Sequence, residues 1–139
     1  MPETGHVSET ADADAPVRTL IQRPALMVHL DDTLRHLAET FADEYVGAAV
    51  VKGTNPPALV SERDVLSALA AGNDPDETWV RDVMTEDLVV AAPTDRIIDV
   101  TFRLLDDEIR HMPIMEDGVI VGVISARDAL RVLAEQVRG

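Results

Sequence analysis

The chain has 139 residues, enough for one compact domain or two small repeats and too few for an enzyme with separate cofactor and substrate domains. It is 46% hydrophobic and has no cysteine, which excludes a chain disordered throughout, disulfides, thiolate metal sites and cysteine nucleophiles. Twenty-six acidic residues against 12 basic ones leave a formal charge of −14, a field that repels duplex nucleic acid and anionic membrane. Any anionic ligand therefore needs a local basic pocket. No apolar run approaches the roughly 18–20 residues of a membrane span. Residues 1–15 carry no Lys or Arg and no apolar stretch, so they do not read as a signal peptide. A cytoplasmic protein that binds neither nucleic acid nor membrane is the expectation.

In chain order, residues 1–15 are polar, acidic and without period, the pattern of a disordered acidic tail. From Pro16 the texture becomes structural. Leu26-Met27-Val28 is a short extended run, and Leu34, Leu37, Ala38 and Phe41 follow at helical spacing, with Asp31 and Asp32 as N-cap and first-turn acids. Ala48 to Val51 and Ala58 to Val60 are apolar runs joined by the turn residues Gly53-Thr54-Asn55-Pro56-Pro57. A helix through Val65, Leu66 and Leu69 then stops at Gly72. Residues 72–78 read as a linker.

The same order then repeats. Leu88-Val89-Val90 is the extended run, and Ile97, Val100, Thr101 and Leu104 mark the helix, with Thr94 and Asp95 before it. Met112 to Met115 and Val119 to Ile124 flank the turn Glu116-Asp117-Gly118, and Ala129, Leu130, Leu133 and Val137 make a closing helix that ends at Gly139. Val17-Arg18 matches Val80-Arg81 at an offset of 63, and Ser61-Glu62-Arg63-Asp64 matches Ser125-Ala126-Arg127-Asp128 at 64. One residue is therefore inserted in the second copy, and a helix end is tolerant of it, where Phe41–Tyr45 matches Leu104–Ile109. The expected repeats are 16–71 and 79–139, each β-α-β-β-α. One such unit cannot bury both faces of its sheet, so the expected fold is α+β with the two repeats packed sheet to sheet in pseudo-two-fold symmetry. Trp79, at the end of the linker, is expected to pack against the second copy.

These features resemble the tandem CBS-domain pair, or Bateman module. The carrying residues are Val80-Arg81-Asp82-Val83-Met84-Thr85, Arg110-His111-Met112-Pro113-Ile114 and Gly122-Val123-Ile124-Ser125-Ala126-Arg127-Asp128. The first copy departs from the pattern: Leu20-Ile21-Gln22 replaces Val-Met-Thr, Ala58 replaces the glycine, and Ala49 is taken to stand where Pro113 does. The resemblance implies ligand sensing rather than catalysis. Family members bind adenosine-containing molecules such as AMP, ADP, ATP, S-adenosylmethionine or NAD-type dinucleotides in clefts between repeats, and often pass the signal to an effector.

The two Ser-x-x-Asp segments suit such a ligand. They lie at strand-to-helix junctions, where free backbone N–H groups favour phosphate. An ionised carboxylate accepts the two hydroxyls of a ribose, as the resemblance implies for Asp64 and Asp128. Ser61, Ser125, Arg63 and Arg127 are placed to meet phosphate oxygens. The same pattern also serves as a capping box, with no ligand at all. His111 is a candidate at the rim of the second cleft, with Gly47 taken as its counterpart in the first. The resemblance further implies that the segments Gln22–Leu26 and Thr85–Val89 supply backbone groups to an adenine edge, which nominates Leu26, Thr85 and Val89.

No Gly-rich phosphate loop, His-Glu-x-x-His or other catalytic pattern is present, so no catalytic residue, metal ligand or required cofactor is expected. The first expectation is a non-catalytic regulatory module that binds an adenosine compound and signals to a separate effector protein. The second, from the weakened first copy and the heavy negative charge, is a constitutive dimerisation or interaction module with empty clefts. A homodimer is expected under either.

Overall fold

The computed structural model describes residues 12–138. The chain divides into two compact units: Ala25–Leu88 forms one, and the described residues up to Pro24 join those from Val89 onward in the other. Among the described residues no helix is long and apolar enough to cross a membrane.

The Ala25–Leu88 unit contains β1 (Met27–His29), α1 (Leu34–Glu44), β2 (Ala48–Lys52), β3 (Ala58–Ser61), α2 (Glu62–Ala70) and the single turn α3 (Val80–Val83). Its sheet has the order β1-β2-β3, with β1 parallel and β3 antiparallel to β2. Parallel neighbours need a crossover, and α1 supplies it. Leu34, Leu37 and Phe41 lie on one face of α1 and pack with Val28, Ala49, Val51 and Val60 in an aliphatic core. Ala38, expected on that face, is exposed. The helix begins later than the acids suggest. Its N-cap is Thr33, whose hydroxyl accepts from the His36 N–H, because the Asp32 carboxylate is spent on a turn, accepting from the His29 N–H at 2.9 Å.

The other unit contains a 3₁₀ turn (Val17–Leu20), α4 (Ile97–Asp106), β4 (His111–Glu116), β5 (Val119–Ser125) and α5 (Ala126–Arg138). Val17, Ile97, Val100, Leu104, Met112, Ile114 and Ile124 form its core. Asp95 repeats the role of Asp32, accepting from the Ala92 N–H at 2.9 Å, so α4 starts after Arg96. The strand expected at Leu88–Val90 is absent. Arg103 takes the Val90 carbonyl at 2.6 Å, and parallel pairing shrinks to one bridge between Ala91 and Ile114. The β4–β5 hairpin turns at Asp117 and Gly118, both at positive φ, as a two-residue Asp-Gly loop requires.

The strand ladders relocate the inserted residue. Tyr45, the C-cap of α1, and Glu108, one residue past the C-cap of α4, both turn the chain at φ 55° and are still 63 apart, so nothing is inserted before that turn. Ala48 faces Ser61 and His111 faces Ser125, so the extra residue falls between the paired strands. There the ladder slips: Ile114 faces Gly122 and Met115 faces Ile120, leaving Val121 as a β-bulge. Two sequence matches change accordingly. Ala48, not Gly47, is the counterpart of His111, and Val50, not Ala49, is that of Pro113.

The opening segment of each repeat joins the unit built on the other repeat's strands. Val80 N–H donates to the Asp32 carbonyl at 2.9 Å and Val17 N–H to the Asp95 carbonyl at 2.7 Å. Likewise Leu34 N–H meets the Thr78 carbonyl at 2.8 Å, and Ile97 N–H meets that of Ala15 at 3.0 Å. Trp79 forms a backbone bridge with Thr33 of the first copy, and its N–H donates to the Asp82 carboxylate at 2.9 Å. Residues 72–78 are tied down too, with Arg35 gripping Asp76 through two hydrogen bonds of 2.6 and 2.9 Å. Residues 1–11 of the expected tail, and the stop at Gly139, lie outside the described residues. Residues 12–15 are held: Ala13 is buried, its N–H donates to Gln136, and Asp14 pairs with Arg96 at 2.7 Å.

Candidate ligand site

Each unit places one Ser-x-x-Asp segment where a strand runs straight into a helix. In the Ala25–Leu88 unit, β3 ends at Ser61 and α2 begins at Glu62. The Asp64 carboxylate accepts the Ser61 N–H at 2.8 Å and the Ser61 hydroxyl at 3.1 Å, both on Oδ2, while the Asp64 N–H donates back to the Ser61 hydroxyl oxygen. Asp64 Oδ1 has no hydrogen-bond partner among the described residues. Gly47 closes the junction from β2, its carbonyl accepting the Glu62 N–H at 2.9 Å. Arg63 is exposed and half-buried Asp64 stands beside it.

The second junction repeats this geometry. Ser125 N–H donates to Asp128 Oδ2 at 2.9 Å and Asp128 N–H to the Ser125 hydroxyl oxygen at 3.1 Å. The Arg110 carbonyl accepts the Ala126 N–H at 2.7 Å, and His111 opens β4 opposite Ser125. Here Oδ1 is not idle: Arg131, one turn along α5, lies 3.6 Å from it. Arg127 is exposed.

Both segments are therefore capping boxes, and both keep one carboxylate oxygen outside the cap. A carboxylate in this state can hold a helix start and still accept from a hydroxyl. The structure groups Leu26, Gly47, Ser61, Arg63, Asp64 and Thr85 in one unit and Val89, His111, Ser125, Arg127 and Asp128 in the other. Thr85 thus parts from the second-copy residues with which its segment was read. Its backbone is also committed: Thr85 N–H donates to Leu59 and Leu59 N–H to Thr85, at 2.8 and 3.0 Å. The Leu26 carbonyl is taken by the Val50 N–H at 2.8 Å. The Thr85 N–H is therefore spent, while each of the two carbonyls keeps a second lone pair. Val89 is half-buried against the core of its unit.

The CBS domain family matches residues 17–71 and again residues 80–135. The chain belongs to the CBS domain family. Its CBS repeats are 30% identical over 125 residues to an uncharacterised protein of Methanocaldococcus jannaschii, covering 88% of this chain and 44% of that one. The chain spans about half the length of such relatives. A CBS domain protein of Pyrobaculum aerophilum, solved in complex with AMP, is 28% identical with a TM-score of 0.75 over 89% of this chain and 99% of the other. A CBS domain pair solved with 5′-methylthioadenosine and S-adenosyl-L-methionine matches in fold, with a TM-score of 0.76 over 87% and 97% of the two chains at 15% identity.

Within these CBS repeats, sequence reasoning passed over Arg131. Its signal was an arginine three residues after Asp128, a spacing that puts both side chains on one helix face. The first repeat has Ser67 at that place.

Proposed function

We propose that the chain is a non-catalytic regulatory module that binds an adenosine-containing molecule at its Ser-x-x-Asp junctions and relays occupancy to a separate effector protein. The observation that carries this reading is the duplicated junction, in which Asp64 and Asp128 each cap a helix through Oδ2 and keep Oδ1 outside the cap. A carboxylate oxygen accepts the vicinal hydroxyls of a ribose, and the adjacent arginine offsets phosphate charge. The AMP complex of the 28% identical CBS domain protein supports the same ligand class. Binding shifts a conformational equilibrium only by its differential affinity for the two states, which is how an effector would read it.

The test is a thermal-shift panel of AMP, ADP, ATP, S-adenosylmethionine and NAD. Ligand at about 100 times its Kd adds roughly 2.7 kcal/mol, a rise of several degrees at this size. The shift is expected to be selective among the five and to shrink in Asp64→Asn or Asp128→Asn, which retain a cap acceptor. No shift from any of them refutes the reading.

One observation favours a second reading, self-association. Leu66 and Leu130 occupy matching helix positions in the two repeats and both stay exposed, with Phe102 and Leu105 exposed on α4. Sedimentation at micromolar concentration distinguishes a homodimer from a species of 15.1 kDa.

A further inference from the structure

The two junctions have the same backbone but opposite charge. The ladders align Gly47 with Arg110 and Ala48 with His111, since each pair precedes or opens the strand facing Ser61 or Ser125. Glu62 then aligns with Ala126, Arg63 with Arg127, Asp64 with Asp128, and Ser67 with Arg131. The first junction carries one arginine against two carboxylates. The second carries three arginines against one carboxylate, on a chain whose overall charge is −14. Among the described residues Arg110 and Arg127 form no ion pair, and Arg131 meets only Asp128, at 3.6 Å. An exposed concentration of cations inside an acidic field draws an anion locally while the rest of the surface repels it.

We infer that the junctions sort adenosine ligands by charge: Ser125–Arg131 takes a phosphate-bearing nucleotide, and Ser61–Ser67 takes an adenosine compound without an anionic group. Arg131 and Arg110 are the residues that set the difference. Arg131 occupies the outer oxygen of Asp128, so ligand entry exchanges a weak carboxylate contact for a phosphate contact and releases Oδ1 to the ribose. At Asp64 the outer oxygen needs no such release, and Glu62 opposes a phosphate. This inference rests on reading the junctions as adenosine sites.

Calorimetric titration of AMP and of 5′-methylthioadenosine into the full chain tests it, alongside Arg110→Ala/Arg131→Ser, Asp64→Asn and Asp128→Asn. Both arginines are exposed, so the double variant keeps its fold, which an unchanged melting curve verifies. Its AMP Kd is expected to rise about tenfold or more, the scale of one charge-assisted contact, with that for 5′-methylthioadenosine within about twofold. AMP binding should also weaken with added salt and depend on Asp128, whereas 5′-methylthioadenosine should depend on Asp64. An AMP Kd unmoved by the double variant, or AMP binding lost in Asp64→Asn and kept in Asp128→Asn, overturns the charge assignment and leaves the adenosine reading standing. Failure of both compounds to bind the unaltered chain overturns the two together.

Discussion

Replacing Val17 with alanine should loosen the unit that Val17 packs into, not the repeat it begins. Val17 is fully buried beside Ile97, Leu104 and Met112, and Val80 is its counterpart in the core of the Ala25–Leu88 unit. Val→Ala removes two methyl groups, about 1.6 kcal/mol of transfer free energy, and the residual cavity brings the cost to about 2–3 kcal/mol. At about 1.4 kcal/mol per decade, amide opening in the affected unit accelerates by roughly 30-fold or more. Native-state hydrogen exchange reads this residue by residue. Val17→Ala should speed exchange in α4, β4 and β5 and leave β1–β3 near their original rates, and Val80→Ala should do the reverse. If Val17→Ala instead loosens residues 27–70, or both variants loosen both units equally, the reciprocal docking argued from the hydrogen bonds of Val17 and Val80 is wrong.

Two further outcomes follow from single contacts. A Cβ on Gly122 would lie 2.7 Å from the Ile21 side chain, so Gly122→Ala should cost about 1–3 kcal/mol by denaturant unfolding, and Ile21→Ala in the same chain should recover part of it; additive costs would mean the two sites do not touch. The Asp76 pKa is lowered, first by its hydrogen bond from Arg35, so the stabilisation it contributes is present above the ordinary carboxylate range and is lost as pH falls through the lowered value. The urea midpoint of Asp76→Asn should therefore trail the parent near neutral pH and converge with it in acid; because the pair is exposed, high salt should narrow the gap too. A gap that persists unchanged into acid removes Asp76 as its source.

Element order was legible because apolar runs of two periods alternate with strong turn residues, and the Asp-Gly loop at 117–118 forms as its composition predicts. Helix starts were less so. Asp32 and Asp95 look like caps, yet their carboxylates close turns on His29 and Ala92, a choice that depends on how the preceding strand arrives. The bulge at Val121 was invisible because an inserted residue leaves a strand's alternation ambiguous until its partner is known, and that error misaligned His111 with Gly47. The destination of the opening segments was beyond reach for a different reason. In a duplicated sequence, Val17 fits the loop at Asp32 as well as the one at Asp95, and pattern alone cannot choose.

Of the candidate site, the two junctions were legible as motifs, and each proves to be a capping box that keeps one carboxylate oxygen outside the cap. The contacts that distinguish them were not. Arg131 gains its meaning from the i,i+3 geometry of its helix, and Thr85 commits its N–H to Leu59, a product of tertiary placement.

The reciprocal docking has a consequence for how such a chain can be cut. A fragment ending at residue 72 keeps the Asp32 loop but discards Val80, and it retains Val17, whose partner Asp95 is gone. Because the lost and retained pieces are equivalent under the 63-residue shift, the fragment holds both halves of one contact, a socket and a plug that belongs in another molecule's socket. In the intact chain the tether supplies the plug at an effective concentration in the millimolar range, whereas separate fragments must find each other at their bulk concentration. Covalent linkage of the repeats thus converts a concentration-dependent association into a concentration-independent one, and the break that separates least is not between the repeats but on either side of Ala25–Leu88.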